Sequence, residues 1–325
     1  MSSTFSRRLR KHLLIGACAL GVAGCAGRLP QPALLSVDEL TEVPFFPQTE
    51  YDCGPAALAT ILSAAGAAVT PAELIDAVYI EGLKGSLQAE LLAATRRYDR
   101  LPIPVPTDPQ SLLAEVASGR PVLVLQNLAL ERVPAWHYAV VVGFDASAER
   151  VVLRSGQERR RLERTRRFLR SWRLADHWGF VAARPGEIPT TATPGGYMRA
   201  LLDAQQVLAD VSTAAAYEAA VARWPNDALV LFLTGTRKHA AGDLSAAAGL
   251  YRRALASEPS HAAARNNLAN VLFEQGCLTE ALREARAALR SVPPDGDFHA
   301  AIADTVRQIE SSPASAAEPA ACAAG

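Results

Sequence analysis

One stretch of the sequence combines residue types that serve in nucleophilic catalysis. Gln48 precedes Cys53 by five residues, and Gly54 and Pro55 follow directly. Pro55 suits the first turn of a helix, and apolar residues then recur at helical spacing until Gly66. A helix N-terminus carries partial positive charge, so we expect it to lower the pKa of the Cys53 thiol. Cys53 is therefore a candidate nucleophile, and Gln48 is a candidate oxyanion-hole donor.

His137 is the candidate general base. It opens the apolar, β-branched run from His137 to Phe144, which predicts a sheet strand with the imidazole at its edge. If helices pack against that sheet, the imidazole can take the thiol proton and later protonate a leaving amine. The remaining histidines lie in the basic N-terminal segment, beside an arginine-rich stretch or in the C-terminal helices, and are poorer candidates: His12, His177, His239, His261 and His299.

Helical patterns precede strand patterns in residues 37–184, which predicts an α+β domain with helices packed on an antiparallel sheet. The predicted helices cover about 53–66, 71–79, 86–97 and 109–119, and the predicted strands cover 121–125, 137–144, 151–153 and 179–183. An arginine-rich piece, 159–173, contains a short predicted helix at 165–172. Its arginines either form a solvated face or contact anionic lipid headgroups or an acidic substrate.

The C-terminal part repeats with a period of 34 residues. Pro225, Pro259 and Pro293 keep this spacing, as do Gly242 and Gly276. The period and these positions are typical of tetratricopeptide repeats, here 226–259 and 260–293, with flanking helices in 197–225 and 297–310. Residues 185–196 are predicted to be a linker, the helical domain spans 197–310, and 311–325 is predicted to be a disordered tail. Such repeats bind proteins or peptides, and three asparagines are either peptide-binding or solvent-facing: Asn266, Asn267 and Asn270.

The N-terminus predicts export and lipidation. A basic segment and the apolar run from Leu13 to Val22 are typical of a secretory signal, which covers residues 1–24. The run ends in Val-Ala-Gly-Cys25, which resembles a bacterial lipobox and implies cleavage before Cys25 and lipidation of that residue. Residues 25–36 then form a tether, and Ala26 favours the outer membrane, with the protein facing the periplasm. The alternative is plain secretion without an anchor.

Composition excludes several classes of protein. The chain has 33 basic and 33 acidic residues, so charge gives no case for nucleic-acid binding. No ATP-binding motif, metal-ligand spacing or cofactor motif is present in the sequence. The five cysteines have no paired spacing, which predicts neither a zinc site nor a disulfide framework. We therefore expect Cys277 and Cys322 to have no specific role.

Three parts of the sequence together resemble the peptidase C39 family: Gln48, the segment 52–58 (Asp-Cys-Gly-Pro-Ala-Ala-Leu) and the segment 136–143 (Trp-His-Tyr-Ala-Val-Val-Val-Gly). The resemblance covers about residues 40–184 and implies a papain-like cysteine peptidase domain, which we assign to 37–184. It implies Cys53 as nucleophile, His137 as base and acid, and Gln48 with the Cys53 backbone N–H as oxyanion hole. Family members attached to exporters cleave after a double glycine, which suggests cleavage after small residues or glycine.

One position departs from the family pattern. The aspartate that usually orients the histidine falls on Ser155 in this sequence, so Ser155 is a candidate third member without charge. The leading prediction is a membrane-anchored periplasmic cysteine peptidase whose repeats recruit a protein substrate. One alternative is a catalytically impaired binding or scaffold lipoprotein, which the Ser155 departure favours. The other is a cysteine amidase or acyltransferase that uses the same acyl-thioester chemistry.

Overall fold

The computed structural model describes residues 34–48, 52–312 and 322. Five helices belong to the N-terminal domain: α1 (Cys53–Ala64), α2 (Pro71–Val78), α3 (Gln88–Arg97), α4 (Pro109–Ala117) and α5 (Thr165–Arg173). Local capping sets two of these starts. The Thr70 backbone N–H donates to the Glu73 carboxylate before α2, and Asp108 accepts from the Ser111 N–H at 2.8 Å before α4. The helices predicted from the sequence are confirmed.

Six strands form one antiparallel sheet in the order β1-β6-β2-β3-β4-β5. The strands are β1 (Leu101–Pro104), β2 (Val122–Asn127), β3 (Trp136–Asp145), β4 (Arg150–Ser155), β5 (Glu158–Arg164) and β6 (Gly179–Ala183). One face packs against α1, α2 and α3, with Leu58, Leu74 and Val140 buried there. The other face packs against α4 and α5, with Phe168 and Trp172 buried. The predicted α+β class is confirmed.

The two strands that the sequence did not predict, β1 and β5, are the two edges of the sheet. β1 contains Pro102 and Pro104, and β5 contains three consecutive arginines. An edge strand pairs on one side only, so it tolerates proline and charge and does not need apolar alternation. The residues before the short helix, 158–164, for which the sequence predicted no strand, therefore form a strand that continues the sheet.

Helices make up the rest of the described chain: α6 (Pro194–Ala204), α7 (Asp210–Arg223), α8 (Ala228–Ala240), α9 (Leu244–Ser257), α10 (Ala262–Glu274), α11 (Leu278–Arg290) and α12 (His299–Glu310). Helices α8 to α11 form two consecutive helix pairs at the predicted 34-residue period. The small residues that recur at this period, Ala220, Ala254 and Ala288, are fully buried. Close helix packing also explains Gly235, where a Cβ would come within 2.8 Å of the Tyr251 ring.

The segment 185–196, predicted to be a linker, lies against the N-terminal domain. The backbone N–H and the hydroxyl of Thr191 both donate to the carboxylate of Glu115, at 2.5 and 2.7 Å. Glu115 is fully buried in α4, so these bonds satisfy a charge that would otherwise be costly to bury. Ile188 and Ala192 add apolar contacts to the same core.

A disulfide joins Cys277, at the start of α11, to Cys322 near the C-terminus. The expectation that these two cysteines have no specific role is therefore wrong. Cys322 packs against the core of the repeats, and the prediction of a disordered tail at 311–325 stays a prediction because most of that segment lies outside the described residues. Forty-five residues separate the two cysteines, so their proximity depends on how α11 and α12 fold back. Chain spacing alone did not indicate it.

The predicted signal peptide and the lipidation site Cys25 lie outside the described residues. The described chain begins at Leu34, and Ser36 and Val37 are already attached to the sheet domain. The Ser36 hydroxyl accepts from the Ala146 N–H at 2.9 Å, and Val37 pairs with Phe144. None of the helices in the described part of the chain is long and apolar enough to cross a membrane.

Candidate active site

Cys53 is the first residue of α1, as predicted. Three backbone N–H groups face its sulfur: those of Tyr138 in β3, of Gly54 and of Cys53 itself. At this end of the sheet, the last pair between β3 and β4 is Val140 with Arg154. Tyr138 lies two residues further along β3, where it has no paired residue in β4. The thiol therefore occupies the open end of the sheet, beside the residue that follows His137.

The thiol is nevertheless not acidified at rest. Burial raises the pKa of Cys53 above its ordinary value, while the three backbone N–H groups lower it and the carboxylate of Asp52 adds a small increase. Desolvation penalises the charged form and is the largest of these effects. The expectation that the helix N-terminus lowers the thiol pKa is thus wrong for the resting site. The N–H groups at the helix end lower the thiol pKa, but by less than burial raises it.

His137 is the second residue of β3, and its Nε2 lies 2.8 Å from the hydroxyl oxygen of Ser155. Burial, together with the positive charge of Arg161, lowers the pKa of His137 to about 4. The imidazole is therefore neutral at pH 7. When Nε2 carries the proton and donates to Ser155, Nδ1 is the ring nitrogen that can accept a proton from a thiol.

Ser155 ends β4 and is fully buried. Its contact with His137 places it where the sequence predicted a third member of the site. A hydroxyl can fix the orientation and tautomer of the ring, as a carboxylate does. It brings no negative charge to stabilise an imidazolium, which is consistent with the lowered pKa of His137.

Gln48 is buried and is held by the turn that follows Ser155. Its side-chain oxygen accepts from the Gly156 N–H at 2.8 Å, and its backbone N–H donates to the Gly156 oxygen at 2.9 Å. The side-chain amide of Gln157 donates to the Gln48 backbone oxygen. With its oxygen fixed on Gly156, Gln48 presents its NH₂ group from the other end of the amide. A single turn therefore positions both the partner of His137 and the predicted oxyanion-hole residue.

The sequence did not predict the roles of Gly156 and Gln157. Gly156 has φ of +61°, a left-handed conformation that favours glycine, and it forms the connection from β4 to β5. A Gly-Gln pair directly after an apolar strand was the available signal for a hairpin turn. Its bonds to Gln48, more than 100 residues away, could be known only from the fold.

A second polar group lies behind the histidine. Gln126 is directly opposite His137 in the β2–β3 register. Its side-chain amide donates to the Ser171 hydroxyl at 2.8 Å and to the Glu163 carboxylate at 3.2 Å. All three of these partners are buried, so the network satisfies polar groups that would otherwise be unpaired inside the domain.

A cleft lies at the start of α3, and Tyr138 of β3 is one of its lining residues. Its cavity of about 350 Å³ is lined by Ser86, Leu87, Gln88, Leu125, Trp136, Tyr138, Ala175 and Asp176. Trp136 and Leu87 are exposed there, at 55% and 48%. Ser86 approaches α1 so closely that a Cβ on Gly54 would lie 2.2 Å from its hydroxyl oxygen. Gly54 therefore permits the contact that closes the cleft next to Cys53.

The asparagines predicted to bind a peptide all lie on α10 and are half-buried. The side-chain amide of Asn267 is 3.4 Å from the Tyr251 hydroxyl on α9, so Asn267 contributes to contacts between helices. The side-chain oxygen of Asn266 is enclosed and has no hydrogen-bond partner among the described residues. A role for Asn266, Asn267 and Asn270 in peptide binding stays a prediction.

The N-terminal domain thus presents a cysteine at a helix N-terminus, close to the backbone of the strand that carries His137. Two family models match separate parts of the chain. Residues 40–177 match the model of the Peptidase_C39 like family, and residues 237–304 match a tetratricopeptide-repeat model. The resemblance inferred from the sequence is confirmed for both segments: a C39-like domain precedes tetratricopeptide repeats.

Among solved structures, the chain is similar to one from Bacillus anthracis that is described as a C39-like peptidase. The two share 18% sequence identity with a TM-score of 0.39, and the match covers 46% of this chain and 98% of the other. No curated protein matches the sequence significantly.

Proposed function

We propose that the protein is a lipid-anchored cysteine peptidase that cleaves proteins on the periplasmic side of the bacterial outer membrane. The observation that carries this proposal is the position of Cys53. Its sulfur lies near three backbone N–H groups, and one of them belongs to Tyr138, the residue that follows the Ser155-bound His137. Membership of residues 40–177 in a C39-like family supports the same chemistry.

In the proposed reaction, His137 Nδ1 takes the thiol proton when substrate is bound, and the thiolate attacks the scissile carbonyl carbon. The carbonyl oxygen becomes negatively charged and accepts hydrogen bonds from the Cys53 N–H and the Gln48 side-chain amide. The imidazolium then protonates the leaving amine, which leaves a thioester on Cys53. Water, deprotonated by His137, hydrolyses the thioester and restores the thiol.

The pKa directions indicate that the resting pair is a neutral thiol and a neutral imidazole. The thiol proton would then move to His137 only as the sulfur attacks the substrate carbonyl. The backbone N–H groups around the sulfur are already in place and need no reorganisation when charge develops, which is the property expected of a preorganised site.

The proposed location rests on two features. The lipobox-like ending at Cys25 predicts a lipid anchor, and attachment of several acyl chains would make it stable. The Cys277–Cys322 disulfide supports an oxidising compartment such as the periplasm, because disulfides rarely persist in the cytosol.

The repeats are the proposed recruiting element, since tetratricopeptide repeats generally mediate protein–protein interaction. The cleft lined by Trp136 and Leu87 also includes Tyr138, whose backbone N–H lies near the Cys53 sulfur, so this cleft is the proposed site for a substrate side chain. We expect the bond that is cut to follow a small residue or glycine, as the family resemblance implies.

Substrate capture with the Cys53→Ala variant tests the proposal. The full-length variant, attached to a resin, is incubated with solubilised envelope proteins, and the retained proteins are identified by mass spectrometry. We expect proteins that are held intact by Cys53→Ala and cut by the parent chain, with new termini after small residues. A Ser257→Ala variant, altered at an exposed position of the repeats, keeps the nucleophile and serves as the matched control. Retained proteins that the parent leaves uncut would contradict the peptidase proposal.

A second candidate function is a binding module without turnover. The specific observation in its favour is Ser155, a neutral residue at the position where the family usually has a carboxylate. Together with burial and Arg161, it leaves His137 poorly able to hold a proton. In this case the sheet domain and the repeats would hold the same partners without cutting them.

Ser155→Asp separates the two candidates. We expect the introduced carboxylate to accept from His137 Nε2, raise the pKa of His137 and increase cleavage of a captured protein by about tenfold or more. Loss of the equivalent carboxylate costs about 10⁴-fold in a serine peptidase, and cysteine depends less on such help. Ser245→Asp, which introduces the same charge at an exposed position of the repeats, is the control. No cleavage by either parent or Ser155→Asp would favour the binding module.

A further inference from the structure

The exposed side chains of β5 and α5 form a surface of unusual charge, here called the arginine face: Arg159, Arg160, Arg164, Arg166, Arg167, Arg170 and Arg173. The segment 158–173 contains eight arginines and two glutamates, a net charge of +6. The whole chain has a formal net charge of zero. Positive charge is therefore concentrated on two adjacent elements at one edge of the sheet.

Neighbouring carboxylates neutralise only part of this charge. Arg160 pairs with Glu39 at 2.5 Å, and Arg167 pairs with Glu163 at 3.2 Å. Arg159 and Arg170 donate only to backbone oxygens. Within the described residues, no carboxylate pairs with Arg164, Arg166 or Arg173, all of which are exposed. These guanidinium groups are available for an anion outside the chain.

Part of the face is concave and includes an apolar side chain. One cavity is lined by Arg150, Arg161, Leu162, Glu163, Arg164 and Arg167. Four guanidinium groups and one carboxylate thus surround a space in which Leu162 is 46% exposed. Arginine binds phosphate oxygens through paired N–H groups. A phospholipid bilayer has anionic phosphate groups at its surface and apolar chains just beneath them. Arginines around an exposed leucine match these two layers.

The position of the face agrees with the predicted anchor. The Thr165 N–H, at the start of α5, donates to the Glu149 oxygen at 3.0 Å. The same 145–149 turn holds Ser36 through the Ala146 N–H. The first described residues therefore lie at the α5 end of β5. In the sequence, Cys25 precedes Leu34 by nine residues, so the proposed anchor would be attached to the chain shortly before this end of the domain.

We propose that the arginine face contacts the phosphate groups of an anionic phospholipid bilayer. The contact is independent of peptide cleavage; its orientation rests on the anchoring in the proposed function. β5 begins at the 155–157 turn, which holds His137 and Gln48, and ends near the turn that binds Ser36. The strand is about 20 Å long. A chain that lies on this face holds its active site next to the membrane surface, so its substrates would be membrane-proximal segments of proteins.

Vesicle co-sedimentation tests the contact. The full chain carrying Cys25→Ser, which cannot be lipidated, is mixed with vesicles of phosphatidylglycerol and phosphatidylcholine or of phosphatidylcholine alone. We expect preferential binding to the anionic vesicles that weakens as salt is raised. The triple variant Arg164→Gln, Arg166→Gln and Arg173→Gln should bind about a hundredfold more weakly, because each arginine at an anionic surface contributes about fivefold.

A matched triple variant removes the same charge elsewhere: Arg97→Gln, Arg199→Gln and Arg290→Gln, all exposed. This variant should bind the anionic vesicles as well as the parent does. A Cys53→Ala chain should also bind them, so failure of the membrane contact and failure of the peptidase proposal are separate results. Equal loss in both triple variants, no preference for anionic vesicles, or competition by millimolar inorganic phosphate would overturn the proposal. So would binding to poly-glutamate without binding to vesicles, which would assign the face to an acidic protein.

Discussion

The His137→Gln variant is expected to lose peptide cleavage by about 10²- to 10⁴-fold, the usual contribution of a general acid and base. Glutamine keeps much of the side-chain volume and can still bond to Ser155. It has no nitrogen that takes a proton from a thiol. The loss is measured as the cleavage rate of a protein captured by Cys53→Ala. A His177→Gln variant, altered in the same domain but outside the site, should keep the parent rate.

The same variant is expected to resist acid better than the parent. The pKa of His137 is lowered from 6.5 to about 4 in the folded chain, so the unfolded chain binds more protons between these values. The stability linked to His137 is fully present above about pH 6.5 and is lost as the pH falls to about 4. The total loss is about 3 kcal/mol, from the shift of 6.5 to about 4.

Urea denaturation at pH 7.5 and 4.5 measures this effect. We expect the acid-induced fall in the free energy of unfolding to be smaller in His137→Gln than in the parent by roughly 2 to 3 kcal/mol. The His177→Gln control accounts for substitution of a histidine as such. If parent and His137→Gln lose stability equally on acidification, His137 is not buried as a neutral imidazole, and the account of the resting site is wrong.

Removal of the Cys277–Cys322 disulfide is expected to lower the free energy of unfolding by about 4 kcal/mol. The bond closes a loop of 45 residues, and cross-linking a loop of that length lowers the entropy of the unfolded chain by this order. The bond also holds Cys322 against the core beside Val306 and Ile309 of α12. Both the constraint and this packing are lost in a Cys277→Ser, Cys322→Ser double variant.

Circular dichroism during urea unfolding measures the loss, since the repeats are helical. Dithiothreitol should destabilise the parent and a Cys53→Ser control, which keeps the disulfide. It should have no effect on the double variant. Each single variant, Cys277→Ser or Cys322→Ser, should match the double variant, because either change breaks the same bond. A double variant as stable as the oxidised parent would show that the bond contributes nothing to the fold.

Local patterns in the sequence predicted much of this molecule. Pro71 with Thr70 and Pro109 with Asp108 mark helix starts, and capping depends on residues only a few positions apart. The 34-residue period predicted the helix pairs of the repeats, because each repeat buries the same positions against its neighbour. The strand that carries His137 was predicted because a central strand needs a continuous apolar run. Edge strands β1 and β5 need no such run and were missed.

Residue types at the site followed from the sequence: Cys53 at a helix start, His137 at a strand start, Gln48 upstream and Ser155 in place of a carboxylate. Their environment did not, because it depends on groups far apart in the chain. Burial raises the pKa of the Cys53 thiol, and Arg161 of β5 helps to lower the pKa of His137. The turn at Gly156 holds Gln48. The disulfide likewise depends on how α11 and α12 return to Cys277. Tertiary structure alone decided these features, because desolvation and long-range contact have no local pattern.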